Sequence, residues 1–332
     1  MKGLLTAVVV FGMFVAGSSQ AKTLKIGYSD WPGWIAWEIG IQKGWFDDAG
    51  ADVEFVWLDY LGSMEAFARN ELDAVCMTNG DALVTGAGLG EGVPPKPSVC
   101  VLLNDFSYGN DMVVAAPGIK NFADLAGQTV ALEEGFVPHL LFLTGMKEEG
   151  VPLDSVKIIN QPTDKTPIAL KEGLAQAISA WQPNSGEALK ALPGATEIFS
   201  SADVPGIIFD GLYVDRTSAV RERREWQKVV KVWYQIVSFM KDEENLNEVL
   251  EILSARAGLT PTEYADLLEG TYILSLEEAR RCWGKRSSIS SIYGSSQYSD
   301  QFNVENGVYK EPSNIDSYYD PSFLPAARGE RK

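Results

Sequence analysis

Six short loops carry the residues of this chain best suited to holding a small charged molecule. Ser29-Asp30-Trp31 follows the apolar run that starts at Leu24, Asp59 follows the next, and Asn79-Gly80-Asp81 the third. Further on come Glu133-Glu134-Gly135, Trp181-Gln182 and Asp210. Asp30, Asp59, Asp81 and Glu134 would point carboxylates at a shared ligand, with Asp210 joining them, while Trp31, Trp34 and Trp181 supply indole faces and Asn79 an amide. These loops also offer Ser29 and Thr78, but no Lys or Arg. A bound anion would want backbone N–H groups, hydroxyls or a basic side chain, and several acids around it would be repulsive in a low-dielectric cleft. A planar cation of the guanidinium kind suits the set: carboxylates accept its edge N–H groups and indoles cover its face. Other readings stay open, with Asp30 and Asp81 as helix caps, Glu134 in solvent, and Trp34 in the core.

What positions these loops is an alternation of strands and helices. Residues 24–28 read as a strand, 34–43 as a helix, 52–58 as a strand, 63–70 as a helix capped by Ser63, and 72–77 as a strand. Strands at 99–103 and 112–116 follow. A second unit repeats the pattern with strands at 129–132, 156–159 and 176–180 and helices at 139–149 and 166–172. The run 206–214 carries the chain back, and helices follow at 219–241, 246–257, 261–269 and 276–282. Such alternation builds α/β lobes with largely parallel sheets, whose ligands sit beyond the carboxyl ends of the strands. Two units joined by two crossings predict a discontinuous lobe at 22–115 and 209–284, a continuous lobe at 116–208, and a cleft that closes on its ligand. The Ser-, Tyr- and Asn-rich stretch 285–332 reads as an extended surface tail.

Length and charge agree with this. The 332 residues suffice for two cores, and 28 basic against 45 acidic residues give a net charge of -17. That balance disfavours nucleic acid and favours cationic ligands. Lys2, the apolar run 4–16 and Ser19-Gln20-Ala21 read as a cleavable signal peptide over residues 1–21. The mature chain would begin at Lys22 with a charge of -18, and no cysteine follows the run to carry a lipid. Cys76, Cys100 and Cys282 lack metal-ligand spacing and read as free thiols, with a Cys76–Cys100 bridge between neighbouring strands as the alternative. His139 is the one histidine and opens a helix, and no nucleophile elbow or phosphate loop is present, so the chain does not read as an enzyme.

Five stretches carry a family resemblance: Leu24-Lys25-Ile26-Gly27-Tyr28, Lys43-Gly44-Trp45-Phe46, Gly50 through Phe55, Asn70-Glu71-Leu72-Asp73-Ala74-Val75, and Ala180-Trp181-Gln182-Pro183. Their order over residues 24 to 283 resembles the periplasmic binding proteins of the nitrate, taurine, alkanesulfonate and bicarbonate ABC importers, which share a fold with thiamine-precursor (pyrimidine) binding proteins. The resemblance implies a two-lobed α/β periplasmic-binding-protein fold of type II with its ligand cleft between the lobes. It also implies a periplasmic address, delivery to an inner-membrane permease with a cytoplasmic ATPase, a monomeric state, and no cofactor or metal. Residues 27–34 and 77–82 resemble a subgroup that includes guanidine binders. Guanidine is accordingly the expected ligand, with nitrate, taurine, alkanesulfonate, bicarbonate or a thiamine precursor as the alternatives.

Overall fold

The structure is a computed structural model that describes residues 22–90 and 92–326, so the expected signal segment lies outside the described residues. Eleven strands form among the described residues: β1 (Leu24–Tyr28), β2 (Val53–Trp57), β3 (Ala74–Thr78), β4 (Ser98–Ser107), β5 (Asp111–Ala115), β6 (Thr129–Leu132), β7 (Lys157–Asn160), β8 (Ala177–Trp181), β9 (Thr196–Ser200), β10 (Phe209–Asp215) and β11 (Thr271–Ile273). They make two sheets, one six-stranded in the order β11-β4-β10-β3-β1-β2 and one five-stranded in the order β7-β6-β8-β5-β9. In the first, β1 lies parallel to β2 and β3, while the return strand β10 runs antiparallel to both β3 and β4. Each sheet has its own apolar core, so the architecture is the two-lobed type II arrangement.

Core packing follows from the sequence pattern. Every residue of β3 is buried, as expected for a sheet covered on both faces. The helix Arg223–Met240 buries Trp226, Val229, Val230, Trp233, Ile236 and Val237, a stripe with helical spacing. Trp233 meets Trp37 with ring centroids 4.5 Å apart, and Phe55 completes the cluster at 5.3 Å from Trp37. No helix among the described residues is long and apolar enough to cross a membrane.

Several expectations are corrected. β5 belongs to the second sheet, so the first crossing lies at residues 107–111 rather than near 116. The two crossings are tied side by side there: Ser107 Oγ and Ser201 Oγ are 2.7 Å apart, and the Gly109 N–H donates to Ser201 Oγ at 2.7 Å. The helix expected at Ser63 starts at Tyr60, because the Asp59 carboxylate caps it by accepting from the Gly62 N–H at 2.8 Å. Helix Asn184–Ala191 and strand β9 were not anticipated. Cys76 and Cys100 are buried free thiols on β3 and β4, and β10 runs between those strands, so no bridge joins them.

The stretch after residue 284 departs most from expectation. Instead of an extended surface tail it forms the helix Ile292–Glu305, with Ile292, Tyr293, Ser295, Ser296, Ser299 and Phe302 buried. Its small residues pack on helix Asn79–Ala87 of the first lobe, while Phe302 enters the second lobe's core. A polar sequence hid this helix because its buried face is made of hydroxyls that find partners: Ser295 Oγ donates to the Ile207 carbonyl at 2.9 Å.

Candidate functional site

Between the lobes lies a tight inner chamber of about 20 Å³. The first lobe lines it with Trp31, Trp34, Tyr60, Thr78 and Asp210; the second lobe and the crossing add Asp111, Val137, Trp181 and Ile208. Strand register explains the convergence. Asp210 on β10 sits opposite Thr78 on β3 and opposite Asp105 on β4, so three polar side chains form a row at the cleft edge of the first sheet. Asp111 opens β5 opposite Trp181 at the end of β8, so one cross-strand pair of the second sheet supplies both an acid and an indole. A larger groove of about 330 Å³ lies between helices Val137–Glu148 and Ile292–Glu305, but no aspartate lines it.

The aromatic walls are mutually braced. Trp34 packs on Tyr60 with centroids 5.1 Å apart, and Trp31 lies 6.3 Å from Trp34. Trp31 Nε1 donates to Asp105 Oδ1 at 2.9 Å, fixing both side chains. Gly33 is required here, since a Cβ at that position would collide with the Asp105 carboxylate. Tyr60 donates from its hydroxyl to Asp81 Oδ2 at 2.7 Å and accepts from the Thr78 N–H at 3.0 Å.

Charge is what distinguishes the chamber. Asp81, Asp105, Asp111 and Asp210 are all essentially buried, and none forms an ion pair among the described residues. Burial without a compensating cation lifts the Asp81 carboxyl to about 7, although bonds from Tyr60 and Thr78 hold it down in part. Burial likewise lifts Asp111 to about 7, against the Ser107 hydroxyl. Asp210 is raised by burial and then by its acidic neighbours Asp105 and Asp111. The Oδ2 atoms of Asp105 and Asp210 find no hydrogen-bond partner among the described residues, and burial raises both carboxyls. Such a set is unfavourable without a ligand and becomes favourable around a cation that donates to it.

An outer chamber of about 210 Å³, open to solvent, lies on the far side of Tyr60 and Trp181. Asp30, Asp59, Glu133, Asp164, Thr163 and Asn184 line it, and burial raises Asp30 to about 6. Glu133 accepts from the Thr163 hydroxyl at 2.8 Å and is raised by burial.

Of the residues singled out in the sequence, Trp31, Trp34, Trp181 and Asp210 line the inner chamber, and Asp30 and Asp59 line the outer one. Asp81 stands behind Tyr60 and orients it. It does not cap the following helix, which starts at Asn79 and is capped by Thr78, whose Oγ1 accepts from the Asp81 N–H at 3.1 Å. Asn79 and Glu134 line neither chamber. Asn79 turns to the C-terminal helix, donating to Ser295 Oγ at 3.0 Å, and Glu134 is exposed while its neighbour Glu133 faces the cleft. Asp105, Asp111 and Tyr60 were missed. Asp105 ends the apolar run of β4, so the strand-end rule applied to Asp30 and Asp81 would have found it.

Comparison with known proteins agrees with the fold. A chain from Brucella abortus (strain 2308), named as a binding protein, is 24% identical over 205 residues, 61% of each chain, so the match spans less than two thirds of that relative's length. The crystal structure of the periplasmic aliphatic sulphonate binding protein from Escherichia coli superposes with a TM-score of 0.70 at 17% identity, covering 90% of this chain and 97% of that one. The periplasmic nitrate-binding protein from Synechocystis PCC 6803 also reaches 0.70, at 12% identity, covering 92% and 87%. Residues 32–228, more than half of the sequence and including every residue that lines the inner chamber except Trp31, match one family description, and the chain belongs to the NMT1/THI5-like family.

Proposed function

We propose that this protein is the extracytoplasmic solute-binding component of an ABC importer, which captures guanidine or a closely related small cation between its lobes and presents it to a membrane permease with a cytoplasmic ATPase. The carrying observation is the inner chamber itself: Asp111 and Asp210 line it, Asp105 adjoins them, and the remaining walls are aromatic or apolar apart from Thr78, with no Lys, Arg or His. A guanidinium donates hydrogen bonds around its edge and offers its faces to Trp31, Trp34 or Trp181, a desolvated contact worth about 2 kcal/mol. The N-terminal signal and the likeness to proteins named as periplasmic support the address. The reading is of a binding protein, since the chamber's design is to hold a charge rather than to attack one.

A second reading follows from the relatives, several of which are named for sulfonate or nitrate. For an anion to enter, the acids would have to bind protons and act as donors. Calorimetric titration with guanidinium, urea, nitrate and taurine at matched ionic strength separates the two. Guanidinium should bind far more tightly than urea, which keeps the planar outline without the charge. Tight nitrate or taurine binding with no guanidinium response would remove the cation assignment and leave the importer role standing.

A further inference from the structure

The two chambers share an aromatic contact. Tyr60, at the start of helix Tyr60–Ala68 in the first lobe, meets Trp181, at the end of β8 in the second, with ring centroids 5.5 Å apart and planes at 86°. Both residues line both chambers. We propose that Tyr60 and Trp181 form a seal across the cleft that restricts the inner chamber to compact, unsubstituted cations and excludes guanidines or amines bearing an alkyl chain. This rests on the reading of the inner chamber as the cation site.

Tyr60 is braced at its side chain and Trp181 at its backbone. Tyr60 is fixed at its hydroxyl by Asp81 and the Thr78 N–H, and on its ring by Trp34 at 5.1 Å. Trp181 is fixed by its register with Asp111 and by the Gln182 N–H, which donates to the Asn110 carbonyl at 3.0 Å. A chain attached to a head group in the inner chamber must therefore pass between two rings from opposite lobes, and their contact is lost if it does. Beyond the seal the outer chamber presents Asp30, Asp59, Glu133 and Asp164, which would attract a second positive charge once a path existed. Tyr60 and Trp181 thus decide specificity by exclusion, with Asp81 as a positioning residue for Tyr60.

The test compares guanidinium with 4-aminobutylguanidine, the same head on a chain ending in an ammonium. Wild-type protein should prefer guanidinium by at least about tenfold, and Trp181→Ala should reduce or invert that preference while raising the guanidinium off-rate by about tenfold. Trp181→Phe, which keeps a ring, should restore much of the preference. Loss of general packing would weaken both ligands alike and leave their ratio unchanged, which counts against the proposal, as does equal wild-type affinity for the two. A ligand-free measurement separates the seal from the site. In protein labelled with 5-fluorotryptophan, the 19F resonance lost in Trp181→Phe should shift in Tyr60→Leu. If neither cation binds wild-type protein, the site reading fails and this resonance alone judges the seal; an unmoved resonance overturns it.

Discussion

Asp210, on the proposed cation reading, is a liability to the free protein and an asset to the complex. Its carboxyl is buried against Asp105, and its Oδ2 finds no donor among the other protein groups. Asp210→Asn should therefore stabilise the ligand-free protein, by about 1–3 kcal/mol if the amide finds Asp105 as acceptor, while weakening guanidinium by about 2–5 kcal/mol. Thermal unfolding and calorimetry on the same preparation check both halves, and a variant that is less stable and binds unchanged would contradict the assignment. The acids also set a pH dependence. Asp81 and Asp111 rise from 3.8 to about 7 on folding, so the free folded protein binds extra protons between these values. Their contribution to stability is fully present below about pH 4 and is lost as pH rises through 7. If the proposed cation is the ligand, its binding requires the ionised acids, so affinity should strengthen from pH 5.5 to 8 with proton release, read as a dependence of the binding enthalpy on buffer. An anionic ligand would instead take protons up.

At the scale of elements, the helix Ile292–Glu305 ties the ligand loops to the hinge. Asn79 donates to Ser295 Oγ and Ser296 Oγ at 3.0 and 3.3 Å and accepts from the Phe209 N–H at 2.9 Å, where β10 begins. Asn79→Ala leaves these buried groups unpaired and should lower stability by about 1–3 kcal/mol. Because Asn79 lines neither chamber, guanidinium affinity should fall much less than in Asp210→Asn. An equal fall in both variants would mean that Asn79 governs the site directly. Helix Arg223–Met240 is the corresponding anchor of the first lobe. Trp233→Ala should cost about 3–5 kcal/mol, visible as a lowered denaturant midpoint, because it empties the centre of the Trp37 and Phe55 cluster.

For the whole molecule, the site is built from both lobes, with Trp181 and Asp111 facing Trp34, Tyr60 and Asp210 across the cleft. Ligand should therefore shift the molecule toward a closed state, seen as a smaller radius of gyration in solution scattering with saturating guanidinium. A radius that does not change, together with binding to one lobe alone, would rule out the cleft mechanism. The address is tested separately: N-terminal sequencing of the exported protein should read Lys22 first, and a retained Met1 would contradict a cleaved signal.

Alternating apolar runs and turn residues were enough to read the α/β class, the two units and most strands, because period and punctuation are local properties of the chain. Helices Leu246–Ala257, Pro261–Glu269 and Leu276–Cys282 were read with their observed bounds, since Gly258, Pro261 and the Ser275 capping box mark them locally. The direction of side chains was not local. Asp30 and Asp59 reach the outer chamber, Asp210 the inner one, and Asn79 a helix more than 200 residues away, although all four leave similar loops. Asp111 joined the candidate site only through strand register, which sets it beside Trp181, whereas Asp105 was within reach of the strand-end rule and register adds that it lies opposite Asp210. The terminal helix escaped notice because much of its buried face, between Tyr293 and Phe302, is polar, and burial of its serines and asparagine is favourable only once partners from distant parts of the chain are in place. Which carboxylates share one low-dielectric space was likewise decided by the tertiary fold, because burial and proximity are properties of the assembled lobes and not of any segment.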